Sequence, residues 1–332
     1  MINNELVRQL LNSERRAVAK SISIVEANNL ISAELLKIIY SSVGKAYRIG
    51  ITGPPGAGKS TITNQLTKLY RAKNKKVGII AVDPTSPFTG GALLGDRIRM
   101  NDLVNDSGVF IRSMATRGSL GGLSKKAVDA ADVLDAGGYD YIILETVGVG
   151  QSELDIAQAA DTTIVVLVPE SGDTVQAMKA GLMEIGDLFI LNKSDRPAAE
   201  HAVTALKTIL MLREHNETSW LPNIVKAVAT ENKGISEIAV EINKHYEYLL
   251  KTNNLLKRRE DRIKVRIKEI VEDKIKKELW GERNEKSLNS SLEKLVLGNL
   301  PAGRQGLSPY HIAENIIEDF KKNLNRNDGM ME

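Results

Sequence analysis

The chain has 332 residues, 42% hydrophobic and 4% aromatic, with a net charge of +3 and no cysteine. That length supports one large α/β domain with helical additions. A charge balance this mild, without interleaved basic and aromatic residues, argues against nucleic acid as a partner. The missing cysteine excludes disulfides, cysteine-based zinc sites and thiol catalysis, and fits a cytoplasmic setting; no apolar signal segment or membrane-length window is expected.

In chain order, residues 3–43 read as helical, with Leu6, Leu10, Ile22, Val25, Leu35 and Ile38 among their apolar positions. Residues 48–52 read as a short strand. Gly53-Pro54-Pro55-Gly56-Ala57-Gly58-Lys59-Ser60 follows and fits G-x-x-x-x-G-K-[ST], with Thr61–Ala72 at helical spacing behind it. Strand, glycine-rich loop and helix together make a phosphate-binding loop. Its glycines let the backbone wrap phosphates, and the next helix adds its N-terminal dipole. Lys59 can reach the β/γ-phosphates, and the Ser60 hydroxyl can bind Mg²⁺.

Further strands are expected at 77–82, 109–113, 140–145, 162–168, 187–191 and 223–228. Near-continuous Ile/Val/Leu runs between helices indicate a parallel sheet covered on both faces, with catalytic loops at the strands' carboxyl ends. Three acids stand near such ends: Asp83, Asp96 in the glycine-rich 90–99 segment, and Glu145. Carboxylates flanking a phosphate loop can hold Mg²⁺ or its waters, but each can also be a helix cap or loop residue. The N–H of Gly148 can sense the γ-phosphate, which would make 145–153 a switch loop. Gln151 can orient the attacking water or be a structural amide.

After the 187–191 strand comes Asn192-Lys193-Ser194-Asp195, an N-K-x-D match. A carboxylate at Asp195 can accept from guanine N1–H and the 2-amino group, a donor pair adenine lacks. The Lys193 stem can cover the base, and Asn192 can tie this loop to the phosphate loop. From residue 235 the pattern turns helical, and Ile263, Ile267, Ile270, Val271, Ile275 and Leu279 form an apolar stripe that needs a partner. The charges of Lys257–Arg262 read as a solvated helix face. Pro301–Gly306 reads as a loop, and Ser308-Pro309 as an N-cap and first-turn proline opening a last helix to about Leu324.

The expected fold is an α/β P-loop NTPase with a mostly parallel sheet flanked by helices. An N-terminal helical extension is expected over 1–44, the GTPase domain over 45–250 and a helical dimerisation arm over 251–332. Three segments carry a family resemblance beyond the phosphate loop and N-K-x-D: Ala81–Met100, Glu145–Glu153 and Ser171–Gly181. With them the chain resembles the MeaB/ArgK-type GTPases associated with methylmalonyl-CoA mutase, of the SIMIBI metallochaperone class. The resemblance implies GTP hydrolysis and Mg²⁺ amid Ser60, Asp83, Asp96 and Glu145, which with Lys59 form the catalytic set. It also implies 171–181 as an additional switch and a homodimer built on the C-terminal arm. The implied client is an adenosylcobalamin-dependent acyl-CoA mutase, whose cofactor loading the GTPase gates, with its adenosyltransferase as a further partner. Arg97 or Arg99 can approach the phosphates when the client is bound.

The guanine-backing loop, Val228–Gly234, departs from the usual Ser-Ala-Lys signature, so its contact is expected through backbone groups at Ala229. Three rival readings stand beside this one. A nickel-delivery GTPase would need a Cys-His cluster or His-rich tail, whereas His201, His215, His245 and His311 are scattered. A transport-associated ATPase or kinase conflicts with N-K-x-D. A nucleotide-gated scaffold with negligible hydrolysis is compatible with the same motifs.

Overall fold

The computed structural model describes residues 2–27, 30–83, 102–115, 125–146, 152–169, 181–213, 216, 219–297 and 308–328. Asp96, Arg97, Arg99, Gly148, Gln151, residues 171–180 and Pro301–Gly306 lie outside them. The chain divides into two compact units, 1–259 and 260–332.

The first unit opens with α1 (Asn4–Leu11), α2 (Arg15–Ala27) and α3 (Leu30–Ile39). Asn3 caps α1, its Oδ1 accepting from the Glu5 N–H at 2.9 Å. The elements that follow are β1 (Tyr47–Thr52), α4 (Lys59–Ala72), β2 (Val77–Asp83), β3 (Val109–Ala115), α5 (Lys125–Ala136), β4 (Tyr141–Thr146) and α6 (Ser152–Ala159). Then come β5 (Thr162–Leu167), the single turn α7 (Leu182–Ile185), β6 (Leu188–Leu191), α8 (Ala199–Met211), β7 (Asn223–Lys226) and α9 (Ile235–Lys251). Every expected strand is present. All pair in parallel in the order β3-β2-β4-β1-β5-β6-β7.

The apolar strand runs are explained by burial on both faces. Ile49, Ile51, Ile143, Ile164 and Ile190 pack on one face with Ile62 and Leu66 of α4 and Ile238 and Ile242 of α9. Ile80, Ile142 and Leu144 point to the other, against Leu134 of α5, Ile156 of α6 and Val18, Ile22 and Leu35 of the N-terminal helices. The N-terminal helices thus complete one layer of the sandwich. Central β1, flanked by β4 and β5, is where the chain's crossovers diverge to the two sides, and ligands of such sheets bind outside the carboxyl ends there.

The opposite, N-terminal edge of the sheet carries a buried polar network. Asp135 accepts from the backbone N–H groups of Gly44, Lys45 and Ala46 at 2.8–3.0 Å and so shapes the entry to β1. Asp161 accepts from the Arg48 N–H at 3.0 Å and Asp187 from that of Thr163 at 2.8 Å. Arg48 of β1 lies 3.6 Å from Asp135, whereas the cations for Asp161 and Asp187 come from α10 (Asn254–Leu279), whose first residues belong to this unit. Arg258 grips Asp187 with two bonds of 2.8 Å and donates to the Asp161 carbonyl at 2.9 Å. Arg259 donates to Asp161 Oδ2 at 3.1 Å and to the carbonyls of Gly44 and Ala46 at 2.5 and 3.0 Å. This corrects the expectation of a solvated face at Arg258 and Arg259, while Lys257, Glu260 and Asp261 of the same run are exposed. Its second and third members meet two buried carboxylates that need paired cations, and nothing in a run of charges says which of its members face protein.

His245 of α9 lies in the same network. It is fully buried; its Nδ1 shares a 2.7 Å hydrogen bond with Thr162 Oγ1, and Nε2 sits 3.4 Å from Asp187. Burial pushes its pKa down to about 4, Arg258 acting in the same direction and Asp187 and Asp161 against. Above the ordinary value near 6.5 both folded and unfolded states are neutral here, so the group contributes nothing to pH dependence. As pH falls below that, the unfolded chain takes up a proton the folded one refuses. Stability is then lost at about 1.4 kcal/mol per pH unit until the folded pKa is reached. Thermal unfolding between pH 7.5 and 4.5 should therefore show a shallower acid decline in His245→Gln than in the parent; parallel declines would contradict the assignment.

In the second unit, the remainder of α10 is followed by α11 (Glu282–Leu297) and α12 (Pro309–Asp328). Asn284 donates to the Leu279 carbonyl at 2.7 Å, fixing the α10–α11 turn. Ser308 caps α12, accepting from the His311 N–H at 3.3 Å, with Pro309 as the first helical residue. Ile312 and Ile316 are buried, whereas Ile263, Ile267, Ile270, Val271 and Ile275 of α10 are exposed in the single chain.

Candidate nucleotide site

β1 ends at Thr52 and α4 begins at Lys59, so the octet 53–60 spans the carboxyl end of the central strand and the start of a helix. Two of its glycines are required by geometry. Gly53 has φ 134°, and a Cβ there would lie 2.1 Å from the Val166 carbonyl oxygen; Gly58 has φ 93°, and its Cβ would lie 2.2 Å from Asn192 Nδ2. Pro54 and Ala57 are buried, and Pro55 and Gly56 are exposed at the tip. The first-turn N–H groups of Ser60 and Thr61 lie outside the helical ladder, where they suit an anion. The Lys59 ammonium donates to the carbonyls of Gly53 and Pro54 at 2.7 and 2.9 Å, so the lysine crosses its own loop. These features fit a nucleotide's phosphates.

Glu145, buried on β4, is in register with Ile51 of β1. Its Oε1 accepts from Ser60 Oγ at 2.5 Å and its Oε2 from Thr63 Oγ1 at 2.8 Å. A hydroxyl and a carboxylate meeting beside a phosphate loop are the hard oxygen donors that Mg²⁺ takes, with substrate phosphates and water completing its shell. Asp83 ends β2 beside β4, its backbone alone being described. Among the described residues no three His, Cys, Asp or Glu side chains converge as a ready-made metal cage. Thr146 Oγ1 donates to Thr52 Oγ1 at 3.1 Å, bracing the two strand ends from which the phosphate loop and 147–151 depart.

Asn192 joins the base side to the phosphate side. Its Nδ2 donates to the Ala57 carbonyl at 2.8 Å and its Oδ1 accepts from the Ala229 N–H at 3.1 Å. One amide thus binds the phosphate loop to the 228–234 loop; the first bond was expected, the second was not. Ala229 is further held through its carbonyl, which accepts from Gln65 of α4 at 3.4 Å. Lys193 adopts φ 56°, and the Ser194 N–H donates to the Ala227 carbonyl at 3.0 Å, turning the chain so that Asp195 is exposed. Lys233 on the neighbouring loop has its pKa raised by its hydrogen bond to Glu231, with a smaller push from Asp195. Thr63, Gln65, Thr52 and Thr146 were not singled out from sequence. Thr63 had a usable signal: three residues after Ser60, it lies on the same helical face.

Residues 18–284 match the family described as methylmalonyl Co-A mutase-associated GTPase MeaB. The chain belongs to that family. It is a P-loop GTPase. A Pyrococcus abyssi protein described as a putative GTPase is 52% identical over 270 residues, covering 81% of this chain and 83% of its own. The GTPase ArgK of Escherichia coli is 39% identical over 241 residues, covering 70% and 73%. A crystal structure described as LAO/AO transport system kinase has a TM-score of 0.71 at 28% identity, covering 97% of this chain and 99% of that one. The MeaB-family match spans every site residue named above, and it establishes the expected fold class and GTPase activity.

Proposed function

We propose that this MeaB-family GTPase hydrolyses GTP to GDP and phosphate in the cytoplasm, and that its nucleotide state gates adenosylcobalamin loading and protection of an acyl-CoA mutase. In this reading the N–H groups of the phosphate loop and of the α4 N-terminus hold the phosphates, and Lys59 neutralises charge on them. Ser60 and Glu145, with Asp83 and Asp96, hold Mg²⁺, which when bound neutralises charge developing on the phosphate oxygens. Asp195 selects guanine, the stem of Lys193 covers it, and Asn192 and the Ala229 backbone fix the loop around it. Gly148 and the segment 171–181 report the nucleotide to the client. Two copies associate through the α10 stripe, and an adenosyltransferase is a further partner.

The family match over residues 18–284 carries the mutase reading. Single-turnover GTP hydrolysis with and without the cobalamin-free mutase tests it. The mutase should accelerate hydrolysis by about tenfold, an ordinary coupling between two sites, and the nucleotide should change the rate at which adenosylcobalamin reaches the mutase. Neither effect appearing would remove the client while leaving the GTPase. Light scattering should give about twice the 36.4 kDa of one chain; a monomer at tens of micromolar would refute the dimer. The described name of the solved relative favours a second reading, a transport-associated kinase. Asn192–Asp195 counts against ATP as its donor, and no helix among the described residues is long and apolar enough to cross a membrane.

A further inference from the structure

The helix that follows the phosphate loop does more than present Ser60. Thr63, one turn later, is completely buried, so its hydroxyl needs a partner inside the protein. It gives its proton to Glu145 Oε2 at 2.8 Å, while Ser60 gives its own to Oε1 at 2.5 Å. The Thr63 backbone is itself engaged, its carbonyl accepting from Thr67 Oγ1 at 2.7 Å. The two oxygens of one carboxylate are therefore divided between two hydroxyls on one helical face.

These two bonds differ in what they can survive. Ser60 Oγ keeps two lone pairs while it donates, so it can also take a cation; if Glu145 binds that cation too, its Oε1 has to serve both the cation and the Ser60 proton. The bond from Thr63 to Oε2 is not in competition with the cation and can persist unchanged. We propose that Thr63 is a positioning residue that holds the Glu145 carboxylate by Oε2, so that Oε1 stays directed at the metal beside Ser60. The proposal rests on the reading of Ser60 and Glu145 as metal-holding residues. A threonine that only satisfied its own hydroxyl would leave metal affinity indifferent to its loss.

The full-length chain loaded with GDP can be titrated with Mn²⁺ and the free ion followed by electron paramagnetic resonance. Thr63→Val keeps the shape and removes the hydroxyl; Thr63→Ala is a second hydroxyl-free variant should the valine fail to fold, and Thr63→Ser keeps the hydroxyl. Loss of the hydroxyl should weaken Mn²⁺ binding by about tenfold, at the lower end for groups that orient a metal ligand. GDP affinity measured in EDTA should stay at the parent value, and Thr63→Ser should return Mn²⁺ affinity to within about twofold, since it retains the orienting bond. Ser60→Ala, run beside them, separates the two ideas. If it loses Mn²⁺ while both hydroxyl-free Thr63 variants bind it like the parent, the positioning role is overturned and the metal site stands. If Ser60→Ala also binds Mn²⁺ like the parent, the metal reading falls and this proposal with it.

Discussion

Lys59→Ala should reduce GTP hydrolysis by about 10³-fold, the effect of removing one preorganised donor from a site where charge develops. The lysine is buried at the first position of α4, and its ammonium bridges the carbonyls of Gly53 and Pro54. The fold should survive. The two carbonyls lose a charged donor, worth about 1–3 kcal/mol, against a sheet packed on both faces. Single-turnover hydrolysis, calorimetric titration with a non-hydrolysable GTP analogue and a melting curve separate these effects. An unchanged rate together with unchanged affinity would take Lys59 out of the site.

Asp195→Asn should exchange the base preference. The parent should favour guanine over adenine nucleotides by at least about 100-fold, because adenine leaves the site's polar groups unpaired. In the variant the amide donates where the carboxylate accepted, which suits the C2 carbonyl of xanthine and opposes the 2-amino group of guanine. Competition binding with GTP, XTP and ATP should show GTP affinity falling by about 100-fold and XTP overtaking it. Because Asp195 is exposed and Asn192 does the tying of the loop to Ala57 and Ala229, little stability should be lost. Equal affinity of the parent for ATP and GTP would sink the base assignment.

The sheet was legible because its strands are buried on both faces. Val77–Val82 or Thr162–Leu167 need no alternation, and their uninterrupted apolar runs between helical stretches admit few other readings. The phosphate loop was legible because its chemistry demands glycine at fixed offsets, as Gly53 and Gly58 show by the space they lack. What escaped is what depends on partners distant in sequence. Arg258 and Arg259 look like any solvated pair until Asp161 and Asp187 are brought beside them. Nothing local to Ala229 predicts that its N–H is spent on Asn192 rather than left for a base. Thr63 offers only its three-residue spacing from Ser60 until β4 lies alongside with Glu145.

Arg259 also bears on the order in which the molecule is made. It closes a bond to the Gly44 carbonyl across 215 residues of chain. The entrance to β1, the strand that carries the phosphate loop, is held early by Asp135 through the N–H groups of Gly44, Lys45 and Ala46, but its second clamp, on the carbonyls of Gly44 and Ala46, is still missing when every strand of the sheet has been synthesised. Domains generally fold as units, and this one leaves part of its first strand's anchorage to its last residues. A contact of such separation forms late in folding. Its loss should accordingly show as faster unfolding with little change in the folding rate, so the two arginines at the start of α10 act as a latch on the lifetime of the finished domain rather than as a guide to its assembly.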